Sequence, residues 1–172
     1  MKRMFKKIHQ RGFTLIELMV VIGLTLIMMG IGFKTASFFN EKLVRLELNR
    51  FYATCLYAQR FAQATHKQQT LKFNLAHHWY EYNNCRYKLP SQVRFGLVPG
   101  VQGPPSAPQQ YLTSPASFTD NCITFSVHGI IQPGAIYFTD RDRSVLYALS
   151  CSVAQHSYLR RYRYDGKWRL LT

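Results

Sequence analysis

RGFTLIELMVVIGLTLIMMGIGF, residues 11–33, opens on a cation, turns apolar at Phe13 and keeps one charge, Glu17, inside the apolar run. An α-helix rises 1.5 Å per residue, so about 20 apolar residues span the roughly 30 Å hydrocarbon core of a bilayer. A helix buried in a protein core would show a polar face at 3.6-residue spacing, yet after Glu17 the next charge is Lys34. Residues 13–33 are therefore read as a transmembrane helix. Glu17 is the anomaly. A charged side chain at the centre of such a helix costs about 2.5–3.5 kcal/mol on insertion scales, so the carboxylate calls for a partner.

Charge orients the segment. Of 22 Lys+Arg in the chain, five (Lys2, Arg3, Lys6, Lys7 and Arg11) precede the run, and none of the 8 Asp+Glu does. Cations concentrate on the cytoplasmic side of a first membrane helix, so the N-terminus is expected in the cytoplasm and everything after Phe33 on the far side of that membrane. The remaining 17 cations (22 less 5) still outnumber the 8 acids, leaving a basic chain beyond the leader. An ordinary secretory signal would need a small-residue processing site after the apolar region. The conspicuous small residue, Gly12, instead lies before it, and a cut after Gly12 would remove the basic leader while keeping the helix.

Gly12-Phe13-Thr14-Leu15-Ile16-Glu17-Leu18-Met19-Val20-Val21-Ile22 resembles the class III signal of type IV prepilins and type II secretion pseudopilins. The resemblance implies cleavage between Gly12 and Phe13 by the prepilin peptidase, N-methylation of Phe13, and assembly with other pilins or pseudopilins on an inner-membrane platform. It also supplies the partner for Glu17: the new amine at Phe13, one helical turn away in the same subunit or presented by a neighbour. Pairing lowers the cost of each buried charge.

The helical pattern continues past the membrane run. Between Phe38 and His66 there is neither Pro nor Gly. Val44, Leu48, Phe51, Cys55, Ala58 and Ala62 form one apolar stripe, with Glu41, Lys42, Arg45, Glu47, Arg50, Gln59 and Arg60 largely off it. The first proline is Pro90, whereas many pilins of the resembled family kink near the membrane exit, which leans toward a minor or pseudopilin subunit. Beyond residue 66 the period shortens to two. Strands are expected at 70–75, 79–82, 92–97, 122–127, 135–139 and 145–150, followed by a hairpin of 158–164 and 167–171 turning on Asp165-Gly166. The predicted fold is α+β and pilin-like: a long N-terminal helix, transmembrane then amphipathic, packed on an antiparallel β-sheet. The expected division is a cleaved leader at 1–12, a transmembrane helix at 13–33, the amphipathic half of the helix at 34–66, and a periplasmic β-rich domain at 67–172 with a Pro/Gly-rich loop at 98–121. CITFSVHGIIQPGAIYFTD, residues 122–140, is similar to the strand-Gly-strand signature of GspH/FimT-type minor pseudopilins.

Four cysteines, Cys55, Cys85, Cys122 and Cys151, follow the membrane run. In an oxidising compartment they permit up to two disulfides in three connectivities. Buried thiols are the alternative, and Cys55 on the apolar stripe suits it. With no CxxC, and with His77 and His78 expected on opposite faces of a strand, no metal site is expected. The sequence carries no GxSxG, HExxH, P-loop or dinucleotide fingerprint, so neither catalytic residues nor a cofactor is expected.

The tail YLRRYRYDGKWR, residues 158–169, interleaves Arg160, Arg161, Arg163, Lys167 and Arg169 with aromatic rings, and Asp140-Arg141-Asp142-Arg143 lies upstream. Cations on phosphate and rings on bases would suit nucleic acid. A two-residue Asp165-Gly166 turn puts Arg160, Lys167 and Arg169 on one face with Tyr158, Tyr162 and Tyr164, and Arg161 and Arg163 on the other with Trp168. Neither face is purely basic, which favours arginine stems covering rings, or docking onto an acidic partner subunit or secreted cargo. The resemblance also permits a DNA-uptake role, although Asp165-Gly166-Lys167-Trp168-Arg169 is only a loose echo of the Gly-Arg-x-Arg motif of DNA-binding FimT-type pilins.

Overall fold

The computed structural model describes residues 14–103, 110–151 and 157–171, with the backbone alone at 30–38. The chain divides into two compact units, Met1–Phe38 and Phe39–Thr172. Helix α1 is assigned over Leu15–Thr65. In the first unit its side chains from Leu15 to Met29 are nearly all exposed, Leu15 at 77%, Ile16 at 72% and Met28 at 74%. This stretch therefore buries almost nothing within its own chain. Among the described residues no helix is long and apolar enough to cross a membrane. The described side chains of the apolar run stop at Met29, short of the roughly 20 residues a span requires.

In the second unit the expected stripe is the core face of α1. Val44, Leu48, Phe51, Cys55, Ala58 and Ala62 are each 0% exposed. The helix stops where His66 takes a left-handed φ of 51°, a conformation that ends α-helices. Among the described residues nine strands follow: β1 Gln69–Asn74, β2 Trp79–Tyr82, β3 Cys85–Lys88, β4 Val93–Phe95, β5 Cys122–Phe125, β6 Gly134–Asp140, β7 Leu146–Cys151, β8 Leu159–Tyr164 and β9 Trp168–Leu171. They form two antiparallel sheets, ordered β3-β2-β1-β5 and β4-β6-β7-β8-β9, and α1 packs on them in the expected α+β manner. Each expected strand segment overlaps an observed strand, and β3 is an addition. Its hairpin turns on Asn83 and Asn84, with φ of 49° and 60°, the left-handed pair a type I′ turn requires. His77 and His78 lie in the turn between β1 and β2 rather than on opposite faces of a strand. Burial, then the charges of Arg94 and His77, lowers the pKa of His78.

Both sheets turn an apolar face to α1. Phe51 is the common contact, its ring 4.9 Å from Tyr80 of the first sheet and 5.4 Å from Phe138 of the second. The strand-Gly-strand segment links the sheets: β5 lies in one and β6 in the other, joined by a turn in which the Gly129 N–H donates to the Ser126 carbonyl at 2.9 Å. Gly129 has φ +78°, and a Cβ there would run into Gln63 of α1, so both conformation and close approach call for glycine.

The second sheet is covered on its other face as well. Val101, Ala135, Tyr137, Leu146, Ala148 and Tyr162 form a smaller core, against which Leu97, Val98, Leu112, Tyr164 and Trp168 pack. The described parts of the loop at 98–121 are thus a lid on the sheet. Gln102 bridges Tyr111, and the Trp168 indole N–H donates to the Gln102 carbonyl at 3.0 Å.

Candidate functional site

Two regions carry the residues singled out in the sequence: the N-terminal motif and the C-terminal hairpin. In the first, Gly12 and Phe13 lie outside the described residues. Glu17 is exposed in the first turn of α1. Its backbone N–H donates to the Thr14 carbonyl at 3.1 Å and to Thr14 Oγ1 at 3.3 Å. Thr14 thus caps the helix and Glu17 occupies the third helical position, the spacing of a capping box. A carboxylate in this turn also faces the positive end of the helix dipole. The Thr-x-x-Glu pattern was present in the sequence and is a second reason for an acid here, one that the charge-pairing argument passes over.

In the hairpin the turn is one residue longer than expected. Tyr164 pairs with Trp168 and Arg163 with Arg169, leaving Asp165-Gly166-Lys167 as the loop, with Gly166 at φ 67°. The extra residue inverts β9 relative to β8. Arg161, Arg163 and Arg169 therefore share one face, while Trp168 joins Arg160, Tyr162 and Tyr164 on the other. The Trp168 ring lies 5.2 Å from Tyr164 and 6.4 Å from Tyr162. Arg163 thus does not share a face with Trp168, and pairs with Arg169 instead.

Two cations of the first face, Arg161 and Arg163, meet the helix. Arg161 Nη1 donates to Asn49 Oδ1 at 2.7 Å, and its guanidinium lies 4.5 Å from the centre of the Tyr52 ring. Arg163 Nη2 sits 3.0 Å from Glu41 Oε1, which also accepts the Tyr147 hydroxyl at 3.2 Å. Burial and the neighbouring Glu41 carboxylate push the Tyr147 phenol up to about 12, so it stays a donor. Both pairs are partly buried, and removal of one partner would leave the other less satisfied. Arg160, Lys167 and Arg169 remain exposed. Arg160 stacks at 4.4 Å on Tyr158, and Arg169 reaches Asp165 at 3.4 Å. The five cations do not converge on one open surface.

The upstream charge run has a local role too. Asp140 is 1% exposed, and its carboxylate accepts from Ser144 N at 2.7 Å, Ser144 Oγ at 2.6 Å and Val145 N at 3.1 Å. It organises the turn between β6 and β7. Glu47, expected off the apolar stripe, is 6% exposed, and burial raises its pKa against the opposing pull of Arg50. None of the four cysteines is bonded to another in this structure: Cys55 and Cys151 are buried, Cys85 is exposed, and Cys122 is half-buried.

Residues 7–33 match the family model for the prokaryotic N-terminal methylation motif. No curated protein and no solved structure matches the chain. The matched segment contains Gly12, Phe13 and Glu17 and ends at Phe33, the residue that closes the apolar run.

Proposed function

We propose that the chain is a minor pseudopilin or minor pilin, a structural subunit rather than an enzyme. It is anchored in the inner membrane by residues 13–33, cleaved after Gly12 by the prepilin peptidase, methylated at Phe13, and assembled with other pilins or pseudopilins through its N-terminal helix. The methylation-motif match at residues 7–33 carries this reading. The exposed apolar side chains from Leu15 to Met29 support it, because a helix that buries nothing in its own chain requires lipid or neighbouring helices around it. N-terminal sequencing of the mature protein from membranes tests the processing step. A first residue of methyl-Phe13 is expected, and a start beyond Phe33 would instead indicate an ordinary signal peptide.

The basic tail is assigned to holding the β-domain against its helix and to docking a partner subunit or cargo, with DNA uptake as the alternative. The engagement of Arg161 and Arg163 by Asn49, Tyr52 and Glu41 favours this order. Double-stranded DNA binding by the detergent-solubilised full chain, measured across salt concentrations, separates the two. A phosphate-binding surface loses affinity steeply with salt as counterions are released. No micromolar binding is expected near physiological salt. Binding there that disappears in the combined Arg160→Gln, Lys167→Gln and Arg169→Gln variant, with the fold retained, would make DNA the ligand.

A further inference from the structure

The structure places the two buried cysteines at one point of the interface between α1 and the second sheet. Cys55 is 0% exposed on the core stripe, and Cys151, the last residue of β7, is 4% exposed in the same hydrophobic core. Three hydrogen bonds locate them. Cys151 Sγ contacts the Ile131 carbonyl at 3.8 Å. Gln59, one helical turn after Cys55, donates through Nε2 to the Gly129 carbonyl at 2.7 Å and to the Ser157 carbonyl at 3.3 Å. Gly129 lies two residues before Ile131, and Ser157 two residues before Leu159, the register partner of Cys151. The turn of helix carrying Cys55 is therefore tied to both segments that flank Cys151. Ala58 and Ala62, next along the stripe and 0% exposed, let the helix approach the sheet closely there.

The other two cysteines do not suit one another. Cys122 pairs with Lys72, Lys72 with Glu81, and Glu81 with Arg86, the neighbour of Cys85. Strands are about 4.8 Å apart, so these cysteines sit on opposite edges of a four-stranded sheet, far beyond the roughly 7 Å Cα separation a disulfide tolerates.

We infer that Cys55 and Cys151 form a disulfide that staples α1 to β7 when the chain folds in the presence of a small-molecule or protein disulfide oxidant. In the cell this rests on the proposed export to an oxidising compartment. The Cys55 thiolate attacks the oxidant's disulfide, forms a mixed disulfide and expels one oxidant thiolate. The Cys151 thiolate then attacks the Cys55 sulfur, closes the protein bond and expels the second. The two cysteine protons end on the two oxidant thiols, and the two electrons have reduced the oxidant's disulfide. Exchange requires thiolates and access. In the folded chain burial, and then the Cys151 thiol, raises the Cys55 pKa, and burial lifts Cys151 to about 11. The bond therefore closes during folding, before the helix seals the core.

Oxidative refolding of the full chain tests the pairing. The protein, solubilised in detergent, is reduced, unfolded and refolded with oxidised glutathione. It is then alkylated in denaturant without reduction and digested with trypsin. The four cysteines fall in different tryptic peptides, 51–60, 73–86, 95–141 and 144–160, so the result is unambiguous. A peptide pair joining 51–60 to 144–160, lost on reduction, is expected, together with a lower denaturant midpoint for the reduced chain. Alkylated Cys55 and Cys151, or either joined to a different cysteine, overturns the pairing. Refolding does not depend on cellular location. A pair that forms there but is missing from chain taken from thiol-blocked cells supports the pairing and tells against export.

Discussion

Replacing Phe51 by Ala is expected to lower the stability of the β-domain by about 3–5 kcal/mol, the usual cost of deleting a buried aromatic ring. Phe51 is 0% exposed and contacts Tyr80, Phe95 and Phe138 with ring centres 4.9, 6.3 and 5.4 Å away. Tyr80 belongs to the first sheet, while Phe95 and Phe138 belong to the second. The ring therefore sits where the helix and both sheets meet, and the cavity left by Ala has walls on three elements that cannot all collapse inward. A domain of this size is typically stable by about 5–15 kcal/mol, so the loss is a large part of the total. Urea unfolding followed by tryptophan fluorescence measures it. Trp79 lies in the first sheet and Trp168 in the second, so single-tryptophan variants report each sheet separately. Coincident transitions that shift together in Phe51→Ala are the expected outcome. A shift confined to one tryptophan would show that Phe51 does not join the sheets.

The helix stripe could be read because a period of 3.6 marks the same face wherever the helix packs. All six of its predicted residues are fully buried. Glu47 escaped that reading. It flanks Leu48, and only the tertiary packing makes that flank buried. Period-two alternation likewise located strands but not their partners. β7 is buried at every position, from Leu146 to Cys151, because the loop lid covers the face that α1 does not. No pattern in β7 itself reveals that lid. The hairpin failed for a smaller reason. Asp165-Gly166 reads as a two-residue turn, but the chain places Gly166 at φ 67° within a three-residue loop, and one residue of slip exchanges the faces. The missed strand β3 had its signal in Asn83-Asn84, a pair that favours left-handed backbone. In the N-terminal motif, composition shows the apolar run and the carboxylate within it; Thr14-x-x-Glu17 is legible as a capping pattern too, and the hydrogen bond from the Glu17 N–H to Thr14 Oγ1 places Thr14 as the cap.

Gly12 and Glu17 are expected to fail at different steps, and the contrast tests the N-terminal reading. With a bulky residue at position 12, Gly12→Leu for example, the peptidase loses the small residue before the scissile bond. The full precursor should then accumulate in the membrane, with no mature band and no methylated Phe13. Glu17→Leu should insert and be cleaved, because it makes residues 13–33 more apolar and leaves Gly12-Phe13 intact. Its defect should appear only on assembly, where the amine created at Phe13 no longer meets a carboxylate. An uncompensated charge in a low-dielectric environment is strongly unfavourable, so incorporation into the filament, read by crosslinking in cells, should fall severely. The capping box offers a different account of Glu17, and one further variant decides between them. Glu17→Gln retains a side chain able to serve in a capping box but has no charge. If capping is the main role, Glu17→Gln assembles nearly as well as the parent. If charge pairing is the main role, it fails as Glu17→Leu does. The cost of a lone ammonium among apolar helices exceeds the roughly 1 kcal/mol typical of a cap, so failure of both variants is the expected result.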